Sequence, residues 1–313
     1  MKRFFKYVVI FLLPILVYLT ILEILVDEIP NSYSFKYNYV KTKGDKIEAI
    51  AIGHSQLYDG FDPGCFKVRS FNLCNRAQHY IDNYYILKEL LPLMPNLKMV
   101  IMPIGYMNAT VVDNDEISSR SRFYYKYMGI KYDGQIPLKY RFECLNPKEA
   151  REKLFCYYRG EDMVRCDSLG RSHHEEQTEV KSFVYTYLTR WTQPRNQKLF
   201  LGNEDYFLKT IDLLKEKKIT IILVSPPIYW GDYVGVNNDQ QRFIKEYAEN
   251  LAKKYALYYV DFESDTSFLC EDFFDEGHLN NKGAEKFTGK LNECLVTMKL
   301  NDNMGFSLSQ IPY

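Results

Sequence analysis

The chain has 313 residues, which is enough to bury a sizeable core in one large domain or in two. Its 40 basic residues equal its 40 acidic residues, and they form no basic stripe. This balance excludes a protein that holds nucleic acid through net positive charge. The seven cysteines cannot all pair within the chain, and their spacing matches no zinc motif. The sequence alone does not decide whether two of Cys144, Cys156 and Cys166 form a disulfide.

The first residues predict a membrane anchor. Lys2, Arg3 and Lys6 precede an apolar run from Tyr7 to Val26, in which Glu23 is the only charge. About 20 apolar residues are enough to cross a bilayer. Because no small-residue cleavage site follows, we expect one span across the cytoplasmic membrane, with its basic end inside and the rest of the chain outside. A cleaved signal peptide is the alternative.

The remaining sequence predicts one domain with an insertion. Residues 1–31 hold the anchor and the start of a stalk, and the polar, tyrosine-rich segment Ser32–Gly44 continues this stalk. Residues 32–313 hold the domain. Within it, residues from about 109 to 201 lack a strand–helix rhythm, so we expect an insertion, partly helical at Pro147–Cys156, that caps the strand ends. A spacer without substrate contact is the alternative.

Five short apolar runs alternate with amphipathic stretches along the domain. The expected strands are residues 47–52, 70–73, 99–102, 219–224 and 258–262. The expected helices are residues 81–91, 204–217 with Asn203 as its N-cap, 240–255 and 282–298. This alternation predicts the α/β class: a three-layer α/β/α sandwich with a five-stranded, mostly parallel, flavodoxin-like sheet.

A serine follows the first expected strand directly. Ile47 to Ile52 is almost continuously apolar, as a strand buried on both faces is, and Gly53-His54-Ser55 comes next. Ligands of open α/β sheets bind beyond the carboxyl ends of the strands. Ser55 is therefore a candidate nucleophile, presented after a glycine that permits a tight turn. A serine that only caps a helix is the alternative.

Asp275 and His278 supply the groups that a serine nucleophile needs. A histidine base takes the hydroxyl proton, and an acid orients the histidine and stabilises its charged form. The three-residue spacing places both side chains on one turn before the last helix. A metal site of Asp272, Asp275 and His278 is the alternative, but this donor set is incomplete. We expect no cofactor.

The order of these residues along the chain, with the nucleophile early and the Asp-x-x-His motif late, resembles that of the SGNH (GDSL-like) hydrolase family. The resemblance covers most of residues 47–298, and the segment HLNNKGAEKF that starts at His278 is its more specific half. GHSQ around Ser55 replaces the family's Gly-Asp-Ser. The resemblance implies a three-layer α/β/α fold, attack by Ser55, His278 as the base and Asp275 as its orienting acid.

The resemblance also implies an oxyanion hole. The family uses the N–H of the nucleophile, a glycine N–H after the second strand and an asparagine side chain after the third. In this chain the glycine position falls near Ala77, which leaves only a backbone N–H. Asn108 is the candidate asparagine, displaced by one position, and Asn72 is a second candidate.

These features together predict a membrane-anchored, extracytoplasmic serine esterase or O-acyltransferase. The resemblance and the location suggest acyl esters, chiefly acetyl esters, of a cell-surface polysaccharide as the substrate. A transferase would need an acyl donor from a multi-pass membrane partner, because this chain has one span. The alternative is a non-catalytic carbohydrate-binding or assembly factor that keeps the fold.

Overall fold

A five-stranded parallel sheet lies at the centre of the domain. The computed structural model describes residues 2–105, 120–134, 136–172, 197–229, 238–275 and 277–298. The strands are β1 Ala49–Ala51, β2 Ser70–Asn72, β3 Met99–Pro103, β4 Thr220–Ser225 and β5 Tyr258–Asp261. Their order is β2-β1-β3-β4-β5, and every neighbouring pair is parallel. This is the flavodoxin-like doubly wound order, so the predicted α/β class and sheet are confirmed.

Helices flank the sheet, and a short hairpin precedes the last of them. The helices are α1 Lys2–Asp27, α2 Ser32–Lys43, α3 Ser55–Gly60, α4 Tyr80–Leu90, α5 Ser121–Met128, α6 Leu138–Arg141, α7 Pro147–Tyr158, α8 Gln197–Glu216, α9 Asn238–Tyr255 and α10 Asn281–Thr297. The antiparallel hairpin consists of β6 Phe273–Asp275 and β7 His278–Leu279. The expected N-cap at Asn203 is wrong, because α8 begins six residues earlier. Leu199, Phe200 and Leu201 extend its apolar pattern.

Successive strand residues pack into two separate cores. Ile50 of β1 belongs to the core beneath α2, α4, α8 and α9, whereas Ala49 and Ala51 belong to the core beneath α3 and α10. Successive side chains of a strand point to opposite faces, so β1, β3, β4 and β5 each contribute to both cores. The result is the predicted three-layer sandwich.

The expected stalk is a helix that packs on the domain. Lys36 and Val40 of α2 are fully buried. The Lys36 Nζ donates to the Cys74 carbonyl and lies 4.2 Å from the centre of the Tyr58 ring. Burial lowers the pKa of Lys36 to about 8. Four aromatic side chains of α2 also pack against the core, but they alternate with polar residues, so the sequence does not show a helical apolar stripe.

The described part of the insertion belongs to the core. Tyr124 of α5 is fully buried, and its hydroxyl donates to Gln78 Oε1 at 2.9 Å. The segment before residue 173 runs beside β2, where the Asn72 N–H donates to the Leu169 carbonyl at 2.9 Å. These contacts attach the described part of the insertion to the sheet domain, and the predicted helix at Pro147–Cys156 is present as α7. That the insertion caps the strand ends, rather than serving as a spacer without substrate contact, stays a prediction. Residues 106–119 and 173–196 lie outside the described residues.

Helix α1 is the one described helix that is long and apolar enough to cross a membrane. It has 26 residues, and its most apolar stretch of 18 residues has a mean hydropathy of 2.7 and is little buried by the protein. Its single internal charge is satisfied by the insertion: Glu23 pairs with Lys126 and accepts the Cys144 N–H at 2.8 Å. Leu22 and Val26 pack beside Cys144. The C-terminal end of α1 therefore packs against the domain.

All seven cysteines lie within the described residues, and each is a free thiol. Cys144, Cys156 and Cys166 therefore form no disulfide among themselves in this structure.

Candidate active site

Ser55 lies at the carboxyl edge of the sheet, after a turn that requires glycine. Gly53 has a φ of +150°, and a Cβ at this position would lie 2.5 Å from the Pro103 ring. Only glycine fits there without strain. His54 then caps α3, because its Nδ1 accepts the Gln56 N–H at 3.3 Å. Ser55 is therefore the first residue of the helix rather than its cap.

Ser55, His278 and Asp275 form one hydrogen-bonded chain. The Ser55 Oγ lies 2.8 Å from His278 Nε2. The other ring nitrogen, Nδ1, lies 2.7 Å and 2.9 Å from the two carboxylate oxygens of Asp275. Since Asp275 accepts at Nδ1, the neutral imidazole keeps Nε2 free to accept the serine proton. The structure thus brings the three predicted residues together across 223 positions of sequence.

The hairpin of β6 and β7 positions the acid and the base. Asp275 and His278 are opposite each other in its register. The Gly277 N–H donates to Asp275 Oδ1 at 2.9 Å, which fixes the carboxylate within its own turn. Gln56 Nε2 donates to the Gly277 carbonyl at 3.4 Å and so connects this turn to α3. Two short elements therefore control the distance between Ser55 and His278.

Asp275 and His278 stabilise each other's charged form. Burial opposes ionisation of Asp275, yet the His278 hydrogen bond and charge and the Gly277 N–H outweigh burial and lower the pKa of the carboxyl. Burial likewise opposes the imidazolium, but the Asp275 hydrogen bond and charge outweigh it and raise the pKa of His278. A base whose protonated form is stabilised in this way suits the acceptance of a proton from a serine hydroxyl.

Asp59 and Arg76 form an ion pair beside His278 that the sequence analysis missed. The Asp59 side chain is fully buried on α3, and its Oδ1 lies 3.7 Å from an Arg76 guanidinium nitrogen. Both charges act on the base, since Asp59 raises the pKa of His278 and Arg76 lowers it, after the larger effects of burial and Asp275. The four-residue spacing from Ser55 to Asp59 was the available signal, because it places both on one helix face.

Asp272 has a structural role in the same loop. Its buried carboxylate pairs with Lys286 at 2.6 Å and accepts the Leu269 N–H at 2.9 Å. It therefore faces Lys286 while Asp275 contacts His278, and the donors of the alternative metal site do not converge. Among the described residues, no group of three His, Cys, Asp or Glu side chains is arranged to hold a metal ion.

The motif after His278 fixes the start of α10. Asn280 is buried and caps the helix, because its Oδ1 accepts the Gly283 N–H at 3.0 Å. Gly283 lies against the backbone of Asp272, where a Cβ would approach the Asp272 carbonyl oxygen to 2.0 Å. These two residues hold the loop that carries Asp275 and His278 against α10.

Replacing Gly283 with alanine should therefore destabilise the protein, whereas the same change at Gly289 should not. Both glycines lie in α10, but a Cβ at Gly289 meets nothing within 4 Å. We expect Gly283→Ala to lower the free energy of unfolding by about 3 kcal/mol. Gly289→Ala should raise it by about 0.5–1 kcal/mol, because alanine favours a helix interior. Urea unfolding monitored by circular dichroism measures both, and equal effects would contradict the close approach.

The three oxyanion candidates have different outcomes. Asn72 is fully buried and donates from Nδ2 to the carbonyls of Leu57 at 2.8 Å and Phe61 at 2.9 Å. Both of its amide hydrogens are thereby used, so the expectation that Asn72 serves as an oxyanion donor is wrong. Ala77 has a φ of +50°, a conformation that favours glycine, and its N–H stays a predicted donor. Asn108 lies outside the described residues.

Searches against protein-family models and curated proteins each gave no match. Among solved structures the chain is similar to a candidate acylhydrolase from Bacteroides fragilis, with 9% identity, a TM-score of 0.42 and coverage of 84% of this chain and 95% of that one. A GDSL-like lipase from Bacteroides thetaiotaomicron is 10% identical, with a TM-score of 0.41 and coverage of 86% and 100%. A candidate lipolytic protein of the G-D-S-L family from Desulfitobacterium hafniense is 12% identical, with a TM-score of 0.37 and coverage of 78% and 95%.

Proposed function

We propose that the protein is a serine esterase or O-acyltransferase of the SGNH type. The observation that carries this proposal is the 2.8 Å contact between Ser55 Oγ and His278 Nε2, with Asp275 on the opposite ring nitrogen. A serine becomes a nucleophile when a base accepts its proton and a third group orients the base. The three residues have the contacts that these roles require.

The reaction would proceed through an acyl-serine intermediate. Ser55 Oγ forms a bond with the acyl carbonyl carbon while His278 Nε2 takes the hydroxyl proton. The resulting oxyanion would be stabilised by backbone N–H groups, of which those of Ser55 and Ala77 are the candidates. His278 then returns the proton to the departing alcohol oxygen as the ester bond breaks. Water or a sugar hydroxyl next attacks the carbonyl carbon of acyl-Ser55 while His278 takes its proton. The bond between that carbon and Ser55 Oγ then breaks, and His278 returns the proton to Ser55 Oγ as the acid or the new ester leaves.

The substrate we propose is an acyl ester, chiefly an acetyl ester, of a cell-surface polysaccharide. Helix α1 supports this location, because its length and hydropathy suit a single membrane span with the basic residues Lys2, Arg3 and Lys6 inside. The attachment of Glu23 to the insertion would hold the domain close to the external surface of the cytoplasmic membrane. For acyl transfer we further propose a multi-pass membrane partner as the donor, since acyl donors of the cytosol are otherwise out of reach.

A reporter fusion tests this location. Alkaline phosphatase fused after Thr297 should be active in a bacterial host, because its disulfides form only outside the cytoplasm. The same fusion without residues 2–27 should be inactive. The active fusion should also stay in the membrane fraction after a high-salt wash, which distinguishes an anchor from a cleaved signal peptide. An inactive full-length fusion at normal expression would contradict the proposed topology.

Partition of the acyl group distinguishes an esterase from a transferase. The detergent-purified full chain should consume 4-nitrophenyl acetate, and its product should be measured with and without an added oligosaccharide acceptor. A transferase should give acetylated oligosaccharide in preference to acetate, because such an enzyme must keep water away from acyl-Ser55. An esterase should give acetate in both cases. If a folded chain consumes no ester, a non-catalytic carbohydrate-binding or assembly factor becomes the better account.

A further inference from the structure

Large apolar side chains lie exposed on the insertion. On α7, Phe155 is 62% exposed and Tyr158 is 73% exposed, although the Arg159 guanidinium lies 5.2 Å from the centre of the Phe155 ring. The turn Glu143–Leu145 contacts both α6 and α7 and brings these elements together. The exposed apolar side chains of this region form one apolar face, which consists of Leu138, Phe142, Leu145, Phe155, Tyr157 and Tyr158. A face of this kind marks a site of contact with another protein or with a membrane.

The apolar face adjoins the contact between α7 and α1. Ala150 and Leu154 of α7 pack with Leu22 and Val26, near the C-terminal end of α1. Tyr158 follows Leu154 by four residues, so it lies on the same side of α7, one turn beyond this contact. The apolar face thus continues the surface that α1 presents.

The contact with α1 sets the level of α7 relative to a membrane. Lys6 is the last of the basic residues before the apolar run, so it marks the inner boundary of the proposed span. Leu22 follows Lys6 by 16 residues, which corresponds to about 24 Å along an α-helix. The hydrocarbon core of a bilayer is about 30 Å thick. A helix that packs against Leu22 therefore lies at the outer boundary of the bilayer, where its apolar face can reach the acyl chains.

The insertion also satisfies the charge that α1 carries at this level. Glu23 pairs with Lys126 and accepts the Cys144 N–H at 2.8 Å, and Asp27 pairs with the same lysine. A carboxylate close to the hydrocarbon needs such partners, because an unpaired charge there is costly. The contacts of Glu23 thus keep the insertion beside the outer end of the proposed span.

The charges near the apolar face suit lipid headgroups. The acidic side chains of α7, Glu149 and Glu152, line a cavity that the start of α2 also lines. The exposed charged residues of α7 outside this cavity are the basic Lys148 and Arg151, and Arg159 follows the helix directly. Helices that lie in the membrane interface combine Lys and Arg with large apolar residues in this way. The level and the composition of the face both favour a lipid surface over a protein partner.

We propose that the apolar face of the insertion binds the outer surface of the bilayer beside α1, so that the domain contacts the membrane at two places. This inference rests on the location given in the proposed function, in which α1 spans the membrane. With α1 alone, the domain could tilt relative to the bilayer. Two contacts would instead hold Ser55 at one height above the membrane surface.

Tryptophan fluorescence of the full chain in vesicles tests the proposal. The two tryptophans of the chain, Trp191 and Trp230, are first replaced by phenylalanine, and Phe155→Trp then places one probe on the apolar face. The vesicles contain phosphatidylglycerol and a brominated phosphatidylcholine. Lipid brominated near the headgroup should quench about half or more of the emission, because an interfacial side chain lies about 5–10 Å into the boundary of headgroups and acyl chains. Lipid brominated near the chain ends should quench much less, and Tyr158→Trp is a second probe with the same expected result.

Leu93→Trp is the matched control, and Leu16→Trp reports on the span. Leu93 is also a partly exposed apolar residue, and its backbone lies against Gly44, at the end of α2 that is farther from α1. Its probe should not be quenched by either lipid. Leu16 lies near the middle of the apolar run of α1, so its probe should be quenched most by lipid brominated near the chain ends.

The outcomes separate this inference from the proposed function. Quenching of Leu16→Trp without quenching of Phe155→Trp and Tyr158→Trp would overturn the inference while α1 remained a span, and the apolar face would then suit a protein partner. Equal quenching of Leu93→Trp and Phe155→Trp would overturn it too, because the contact would not be specific to this face. No quenching of Leu16→Trp would contradict the proposed location itself. Quenching as expected in a chain that does not react with a fluorophosphonate would support the inference and contradict the catalytic proposal.

Discussion

Ser55→Ala should reduce ester turnover to the uncatalysed background. The nucleophile is then lost, and loss of a triad serine lowers turnover by about 10⁶-fold in enzymes where it has been measured. His278→Ala should have an effect of similar size, because Ser55 would keep its proton. Both changes should also abolish labelling by a fluorophosphonate probe. Hydrolysis of 4-nitrophenyl acetate by the detergent-purified full chain measures turnover, and gel fluorescence measures labelling.

Ser267→Ala is the matched control for the nucleophile. Ser267 is exposed and lies outside the triad. Its N–H donates to Asp265 Oδ1 at 2.9 Å and its carbonyl accepts from Lys286, and both contacts persist when the hydroxyl is removed. This variant should keep full turnover and full labelling. If Ser55→Ala retained more than a few per cent of wild-type turnover while folded, another residue would have to be the nucleophile.

Asp275→Asn should lower turnover by about 10⁴-fold, the effect of losing the orienting acid in a triad. It should also shift the pH dependence. Only neutral His278 can accept the serine proton, so wild-type turnover should fall as the pH drops through the raised pKa of His278. Without the Asp275 charge, burial dominates and lowers that pKa, so the acidic limb should move to lower pH. Turnover from pH 4 to 9 measures both effects.

Asp272→Asn separates the two acids of the loop. The Asp272 carboxylate is buried against Lys286 and the Leu269 N–H, so its loss should lower the free energy of unfolding by about 1–3 kcal/mol. The turnover of the folded fraction should stay near that of the wild type, with an unchanged acidic limb. If Asp272→Asn lowered turnover more than Asp275→Asn, Asp272 would be the acid that orients His278. If both changes lowered turnover only slightly, a backbone carbonyl would orient His278.

The sheet and the triad could be predicted because their signals are local. The buried run before Gly53 identifies a strand and its carboxyl end, and Ser55 follows directly. The three-residue spacing of Asp275 and His278 already implies one turn, which the structure realises as the β6–β7 hairpin. Parallel topology then brings the carboxyl ends of the strands to one edge, so residues far apart in sequence meet there.

The elements that could not be predicted depend on partners distant in sequence. Helix α2 alternates aromatic with polar residues instead of showing a helical apolar stripe. Its buried Lys36 depends on a carbonyl that lies 38 positions away in the sequence. The Asp59–Arg76 pair likewise needs α3 and the loop after β2 to be placed together. Asn72 looked like a donor to substrate because an asparagine at a strand end fits either role. Its carbonyl partners, at Leu57 on α3 and at Phe61 just after it, are close to Asn72 only in the folded chain.

The most direct test of the account is to trap the acyl group on Ser55. The full chain should be mixed with 4-nitrophenyl acetate, quenched in acid within seconds, digested and examined by mass spectrometry. We predict that the peptide containing Ser55 gains the mass of one acetyl group in place of a proton, and that Ser55→Ala and His278→Ala lack this adduct. An acetyl group on a different residue, or turnover by the wild type without any adduct on Ser55 at the shortest times, would contradict the account.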